Sequence, residues 1–297
     1  MTVNFDKKKL IDRLIVPSGK TISLAKDYDP AYKINDLAKE NANELLQEAI
    51  AQMTELQDKL YAQNTYGVLI VFQALDAAGK DGTIKHVMSG INPEGCDVHS
   101  FKTPSAEELN HDYLWRAAKV LPERGRISIF NRSYYEEVLV VRVHPDFLAK
   151  QKIPGKDQGK NLWKKRFEQI NNFEKYLVDN GIIVLKFFLN LSKDEQKKRF
   201  LQRIDLPEKN WKFSVNDLKE RGFWDDYMNA YEDMFNNTST PWAPWHIIPA
   251  NRKWVTHLSV SSVICEKLES LKLAYPTVSE DFKQELLKAK QSLKNEK

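Results

Sequence analysis

The stretch of this chain whose residue types best suit holding an anion is Ala74-Leu75-Asp76-Ala77-Ala78-Gly79-Lys80-Asp81-Gly82-Thr83. Small residues let the backbone turn tightly, so that N–H groups converge on one point beside a helix N-terminus, and a lysine can reach the same oxygens. Set against the phosphate-loop pattern G-x-x-x-x-G-K-[ST], Gly79-Lys80 match, while Ala74 replaces the first glycine and Asp81 the Ser/Thr. A hydroxyl that would ligate Mg²⁺ is therefore missing. Asp76 is the natural substitute for a hard cation that prefers carboxylate oxygen, and Asp81 is the alternative or an outer partner. The competing readings are an ordinary strand-to-helix turn with a solvated lysine, and an Asp76 that bonds its own backbone.

A second cluster reads Phe130-Asn131-Arg132-Ser133-Tyr134-Tyr135-Glu136-Glu137, at the end of an apolar run. In an open parallel sheet ligands bind beyond the carboxyl ends of the strands, which places Asn131 and Arg132 beside the loop. Arginine there can clamp a phosphoryl group with two parallel hydrogen bonds. Arg142 follows within Val138–Val143, either as a second phosphate ligand or as half of a salt bridge, and His144 before Pro145 is explained by a helix end. A third cluster carries Lys197, Lys198, Arg199, Arg203 and Lys209, followed by Trp211, Lys212, Asp217, Lys219, Arg221, Trp224, Asp225 and Asp226. Such a charged helix is either a solvated face or a lid that closes over phosphates and excludes water.

These clusters need elements to hold them. The apolar segment 67–73 (GVLIVFQ), without alternation, predicts a strand buried on both faces of a parallel sheet. Further strands are predicted at 96–101, 126–130, 182–189 and 246–248. Helices are expected at 84–89, at 105–121 behind a Ser105/Glu108 capping box, and at 133–142, 160–180, 192–204, 214–236 and 254–273. A long amphipathic helix from Asn35 to about Gln63 carries Leu37, Leu45, Leu46, Ile50, Met53, Leu56 and Leu60 at helical spacing. Residues 1–34 read as an irregular arm, 35–275 as one α/β domain with a lid at about 199–226, and 276–297 as a helical tail.

Composition narrows the function classes. Of the 297 residues, 42% are hydrophobic and 29% charged, a globular mixture. The net charge of +4 is too small to imply nucleic-acid binding by itself. Two cysteines, Cys96 and Cys265, cannot build a disulfide framework or a four-thiolate zinc site. With no secretory or spanning segment in view, the expectation is a soluble cytoplasmic protein that uses neither nucleic acid nor membrane.

The three clusters together resemble the polyphosphate kinase 2 family over roughly residues 40–275. The most specific parts are the 75–83 loop, the 130–143 block, and the stretches Trp211-Lys212-Phe213-Ser214 and Trp224-Asp225-Asp226-Tyr227. The resemblance implies a P-loop kinase-like, thymidylate-kinase-like three-layer α/β fold with a central parallel five-stranded sheet and a helical lid. It also implies reversible transfer of a terminal phosphoryl group from inorganic polyphosphate to a nucleotide with Mg²⁺, or Mn²⁺ in its place. Relatives restricted to nucleoside diphosphates carry aspartate at the position of Asn131, so asparagine points to the branch using AMP and ADP, with ATP as product and guanine nucleotides as further acceptors. Carried over residue by residue, Asp76 holds the metal and Ala77, Ala78, Gly79, Lys80, Asp81, Gly82 and Thr83 form the phosphate loop. The nucleotide falls to Asn131, Arg132, Tyr134, Glu137 and Arg142, with Asp76, Lys80, Arg132 and Arg142 at the reacting phosphates. Arg199, Arg203, Lys209 and Lys212 guide the polyanion, in a homodimer or homotetramer. The rival readings are an ATP-dependent nucleoside monophosphate kinase, against which the missing Ser/Thr argues, and a regulatory module that binds nucleotide or polyanion without turnover.

Overall fold

The computed structural model describes residues 5–34, 37–154 and 160–296. Five parallel strands, β1 Gly67–Gln73, β2 Cys96–Ser100, β3 Ile127–Asn131, β4 Ile182–Asn190 and β5 Trp245–Pro249, form one sheet in the order β2-β3-β1-β4-β5. β1 sits in the centre, and the chain crosses from one side of it to the other between β3 and β4, so the carboxyl ends of β1 and β3 open on a topological switch point.

The sheet is sandwiched because β1, β3, β4 and β5 are buried on both faces, whereas the edge strand β2 (CDVHS) is largely exposed. Val68, Ile70 and Phe72 of β1 pack into one buried cluster with the helices Lys39–Gln63 and Lys253–Ser270. Leu69 and Val71 pack into the other, with Lys160–Asp179 and Trp224–Thr238. All five predicted strands are present within about a residue at each end. The expected helix start at Asn35 lies outside the described residues, and the described helix runs Lys39–Gln63.

Several expected helices differ, each for a local reason. The helix after the loop begins at Lys80 and ends at Val87, because Gly79 adopts φ 104° and supplies the left-handed N-cap. Ser105 and Glu108 do exchange both capping-box hydrogen bonds, at 3.2 and 2.7 Å. The segment behind them nevertheless breaks into a short Glu108–Asn110 turn and a Trp115–Ala118 helix, where the Asp112 carboxylate accepts from the Leu114 amide at 2.9 Å. Residues 133–142 wind as a 3₁₀ segment, Tyr134–Val138, before a short helix, Val140–Val143. The lid helix is interrupted at Phe223, next to Gly222, and splits into Val215–Gly222 and Trp224–Thr238. The first 34 residues are also more regular than expected. Helix Lys7–Leu14 buries Leu10, Ile11 and Leu14, and the Val16 amide donates to the Trp245 carbonyl at 2.9 Å, covering the free edge of β5. No helix among the described residues is long and apolar enough to cross a membrane.

One polar network lies inside this apolar frame. Lys186, in the middle of β4, is 0% exposed, as is Glu174. Lys186 Nζ donates to Glu174 Oε2 at 2.6 Å, to the Tyr135 hydroxyl at 2.9 Å and to the Thr238 carbonyl at 2.8 Å. The hydroxyls of Tyr134 and Tyr135 donate to Glu174 Oε1 at 2.8 and 2.7 Å. Burial and the adjacent carboxylate push both tyrosine hydroxyls well above their ordinary range, which keeps them donors. The network ties β4 and the Lys160–Asp179 helix to the turn that follows β3. Glu174→Gln, which strands the Lys186 charge, is expected to lower the unfolding free energy by roughly 3–5 kcal/mol. Lys186→Met added to Glu174→Gln should recover part of that loss in urea denaturation. A single variant as stable as the parent contradicts this reading of the pair.

Candidate active site

The register of the sheet brings the first two clusters together. Phe72 of β1 pairs with Asn131 of β3, and the Arg132 amide donates to the Phe72 carbonyl at 3.0 Å, so the segments after both strands leave side by side. Ala77 (φ 62°) and Arg132 (φ 63°) are both non-glycine residues in left-handed conformations. Such residues persist where surrounding contacts over-determine the backbone, and here they flank the same opening.

Charges of both signs crowd this opening. Arg132 Nη2 donates to Asp76 Oδ1 at 2.9 Å and its Nη1 stands 3.6 Å from Glu136 Oε2. Asn131 Nδ2 donates to Asp81 Oδ1 at 2.7 Å. Lys80, at the first position of its helix, donates to the Ala74 carbonyl at 2.9 Å. Burial, with Arg132 nearby, lowers the Lys80 ammonium to about 8, against the pull of Asp76, Glu136 and Asp81. Burial raises the Glu136 carboxyl, an effect that Arg132 and Lys80 oppose. Preorganised cations held by carboxylates that a phosphate can replace are a ready site for phosphoryl groups.

Asp76 fits a divalent cation on chemical grounds, since its carboxylate already faces a cation, the Arg132 guanidinium. Among the described residues no three His, Cys, Asp or Glu side chains converge on one point.

Next to Arg132 and Glu136 opens a cavity of about 390 Å³, within the range of small-molecule sites. Tyr113, Phe147 and His111 supply flat surfaces, and Arg116, Arg166, Lys102 and Lys152 supply positive charge. Arg166 lies over the Tyr113 ring at 4.4 Å and donates through Nε to Glu137 Oε1 at 2.9 Å, while Gln151 holds the other Glu137 oxygen at 2.7 Å. None of Arg116, Arg166 or Phe147 stood out in sequence, because each comes from a different element and no spacing links them.

The remaining predicted site residues are placed as follows. Glu137 lines the cavity with its carboxylate engaged by Arg166 and Gln151. Tyr134 is among the residues that line the cavity, although it is 1% exposed and its hydroxyl donates to Glu174. Arg142 pairs with Asp233 at 2.5 Å and is not among the cavity-lining residues. His144, between two short helices, meets Glu220 Oε2 at 2.9 Å. Gly82 and Thr83 lie in the helix that Lys80 begins, and the Thr83 amide donates to the Gly79 carbonyl at 2.9 Å. In the third cluster, Arg203 Nη1 donates to the Lys212 carbonyl at 3.1 Å, and Lys212 lies 4.9 Å from the ring centre of exposed Trp211. Lys209 and Lys212 share the 3₁₀ segment Pro207–Lys212. Arg199, expected to guide the polyanion, is turned to protein backbone. It is buried against the Ala77 and Ala78 carbonyls behind the loop rather than displayed to a polyanion.

Residues 36–275 match the family model for polyphosphate kinase 2 (PPK2). The chain is 54% identical over 282 residues to the ADP-polyphosphate phosphotransferase of Rhodopseudomonas palustris, covering 94% of this chain and 96% of that one. It is 47% identical over 238 residues to the AMP/ADP-polyphosphate phosphotransferase of Meiothermus ruber, covering 80% of this chain and 85% of that one. The crystal structure of polyphosphate kinase 2 from Arthrobacter aurescens TC1 superposes with a TM-score of 0.85 at 38% identity, covering 94% of this chain and 96% of that one.

The lowered Lys80 ammonium makes the site testable by pH. Below about 8 it is charged and above it is neutral, so kcat/KM for an anionic substrate should fall as pH rises through about 8. Lys80→Arg, charged throughout, should remove that alkaline limb. Lys80→Ala should lower kcat on the order of 10²–10³-fold with the fold retained by circular dichroism, although the melting temperature falls as the buried Ala74 carbonyl loses its partner. Undiminished turnover in Lys80→Ala contradicts the placement of the phosphates at this loop.

Proposed function

The chain belongs to the polyphosphate kinase 2 family, and from that premise we propose that it transfers the terminal phosphoryl group of inorganic polyphosphate to AMP and ADP, reversibly. The observation that carries this reading is the position of Arg132. The same side chain pairs with Asp76 of the phosphate loop and lines the adjacent cavity. A donor phosphate held by the loop and an acceptor phosphate reaching out of the cavity therefore meet at one guanidinium.

In this reading the amides of 79–82 and Lys80 hold the end of the donor, those of Ala78 and Thr83 being spent on the Leu75 and Gly79 carbonyls. The acceptor lies in the cavity with its base against the aromatic side chains and its phosphates toward Arg116, Arg132 and Arg166. An acceptor phosphate oxygen forms a new P–O bond to the terminal phosphorus, the bridging P–O bond breaks, and the donor leaves one phosphate shorter. Both nucleophile and leaving group are phosphate oxygens, and the transition state is loose, so positioning and charge neutralisation do most of the catalysis. Mg²⁺, or Mn²⁺, held through Asp76 supplies further neutralisation of the phosphate charge. Arg203, Lys209 and Lys212 extend positive charge along the lid, for which we take about 199–226, and suit a long polyanion. The divisions at 34 and 275, a cytoplasmic location and guanine nucleotides as further acceptors belong to the same reading. So does a homodimer or homotetramer, for which the exposed apolar residues Phe282, Leu286, Leu287 and Leu293 of the C-terminal helix offer a surface.

Incubation with AMP, long-chain polyphosphate and Mg²⁺ in the absence of ATP should yield ADP and then ATP by chromatography. Product formed only when ATP is the donor would instead support a nucleoside monophosphate kinase. Acceptor choice is tested at Asn131. Its amide donates to Asp81 at 2.7 Å, so Asn131→Asp sets two carboxylates at hydrogen-bond distance, where they share a proton or recruit a cation. The expected outcome is a larger fall in kcat/KM for AMP than for ADP, and equal losses on both contradict a role in selectivity.

A further inference from the structure

Behind the phosphate loop, the inner face of helix Lys193–Asp205 is committed to loop backbone. Arg199, only 9% exposed, donates from Nη1 to the carbonyls of Ala77 at 3.1 Å and Ala78 at 3.0 Å. Its Nη2 reaches the carbonyls of Ala250 at 2.6 Å and Asn251 at 3.3 Å, and its Nε donates to Glu195 Oε1 at 3.0 Å. A guanidinium has five N–H groups, and five acceptors are present here, so nothing of the fork is left over for a ligand. Three residues earlier on the same helix, Gln196 Nε2 donates to the Asp76 carbonyl at 3.0 Å, and its Oε1 accepts from Arg221 Nη1 at 2.8 Å.

Three consecutive loop carbonyls, those of 76, 77 and 78, are thus drawn toward the same helix. Each peptide unit is planar and trans, so a carbonyl turned one way directs the N–H of the following residue the other way. Holding these carbonyls back turns the amides of 77 and 79 toward the proposed anion face, while the Ala78 amide closes the turn by donating to the Leu75 carbonyl at 3.3 Å. The bonds also hold Ala77 at φ 62°, a conformation costly for a residue with a Cβ.

We propose that Arg199 and Gln196 are positioning residues of the phosphate loop, which set donor-phosphate affinity by fixing loop carbonyls rather than by touching the polyanion. The inference rests on the reading of 77–83 as the donor-phosphate site. Because the fork geometry matters, lysine does not replace Arg199, although it keeps the charge.

The test is the affinity of the full chain for tripolyphosphate by calorimetry, at several salt concentrations, with melting temperature and KM for AMP measured alongside. The parent should bind and Lys80→Ala should bind more weakly; if the parent does not bind, or Lys80→Ala binds equally well, the loop reading and this inference fall together. Given that control, Arg199→Lys and Arg199→Gln should each lose roughly tenfold to a hundredfold in affinity, the worth of two hydrogen bonds. KM for AMP at saturating donor should stay at the parent value. The slope of affinity against salt should also be unchanged in Arg199→Gln, because no phosphate is neutralised at this residue. Parent-like binding by Arg199→Lys, or a shallower salt slope in Arg199→Gln, overturns the proposal and leaves the loop reading intact. If the Arg199 variants do not fold, Gln196→Met decides. A loss of about threefold to tenfold at unchanged salt slope supports the proposal, and parent-like affinity overturns it.

Discussion

A loop that turns its amides toward an anion has to dispose of its carbonyls elsewhere, and buried carbonyls without partners are costly. In this protein the carbonyl of Ala74 is taken by Lys80, that of Asp76 by Gln196, and those of Ala77 and Ala78 by Arg199. Gln196 and Arg199 come from a helix that starts after β4, the neighbour of β1, so the conformation of a short loop depends on the order of the strands. The apolar sheet is in this sense the foundation of the anion site, since it sets the distance between the loop and the helix that braces it.

The opposite wall depends on a different buried contact. Lys186, Glu174, Tyr134 and Tyr135 satisfy one another inside the core and anchor the turn that begins with Arg132 and continues to Glu136 and Glu137. Such a network stabilises little compared with apolar packing of the same volume, but it fixes where the turn lies. The result is an opening flanked by two supports, with polar pairs between them. Asp76 neutralises Arg132 and Asp81 accepts from the uncharged Asn131 amide, and phosphates together with a cation can exchange for these partners.

How much of this was legible in the sequence followed from how local the determinants are. The strands were readable because burial on both faces of a parallel sheet leaves uninterrupted apolar runs such as residues 67–73. The loop and Arg132 were readable because a strand end, small residues and a cation lie within a few positions. Helix breaks at His111, Leu139 and Phe223 were not, since the competing turns are stabilised by side chains such as Asp112 that a periodicity cannot weigh. For Arg199 and Tyr134 the sequence locates the region but not the contacts, because whether a cation or a hydroxyl faces ligand or protein depends on what lies behind it. Lys186 passed unnoticed inside an apolar strand, although a lysine in a central strand is itself a sign of a buried partner. The cavity arginines Arg116 and Arg166 had no such sign.

The central claim is that one phosphoryl group moves directly from the end of polyphosphate to a nucleotide at the loop of 77–83. Polyphosphate labelled with ³²P in its terminal phosphate, mixed with excess enzyme, unlabelled AMP and Mg²⁺ without ATP, follows that group through a single turnover. The label should appear in the β-phosphate of ADP as the donor shortens by one unit, and Lys80→Ala should suppress the transfer. Label released as inorganic phosphate, or retained in polyphosphate while AMP stays unchanged, would contradict the claim.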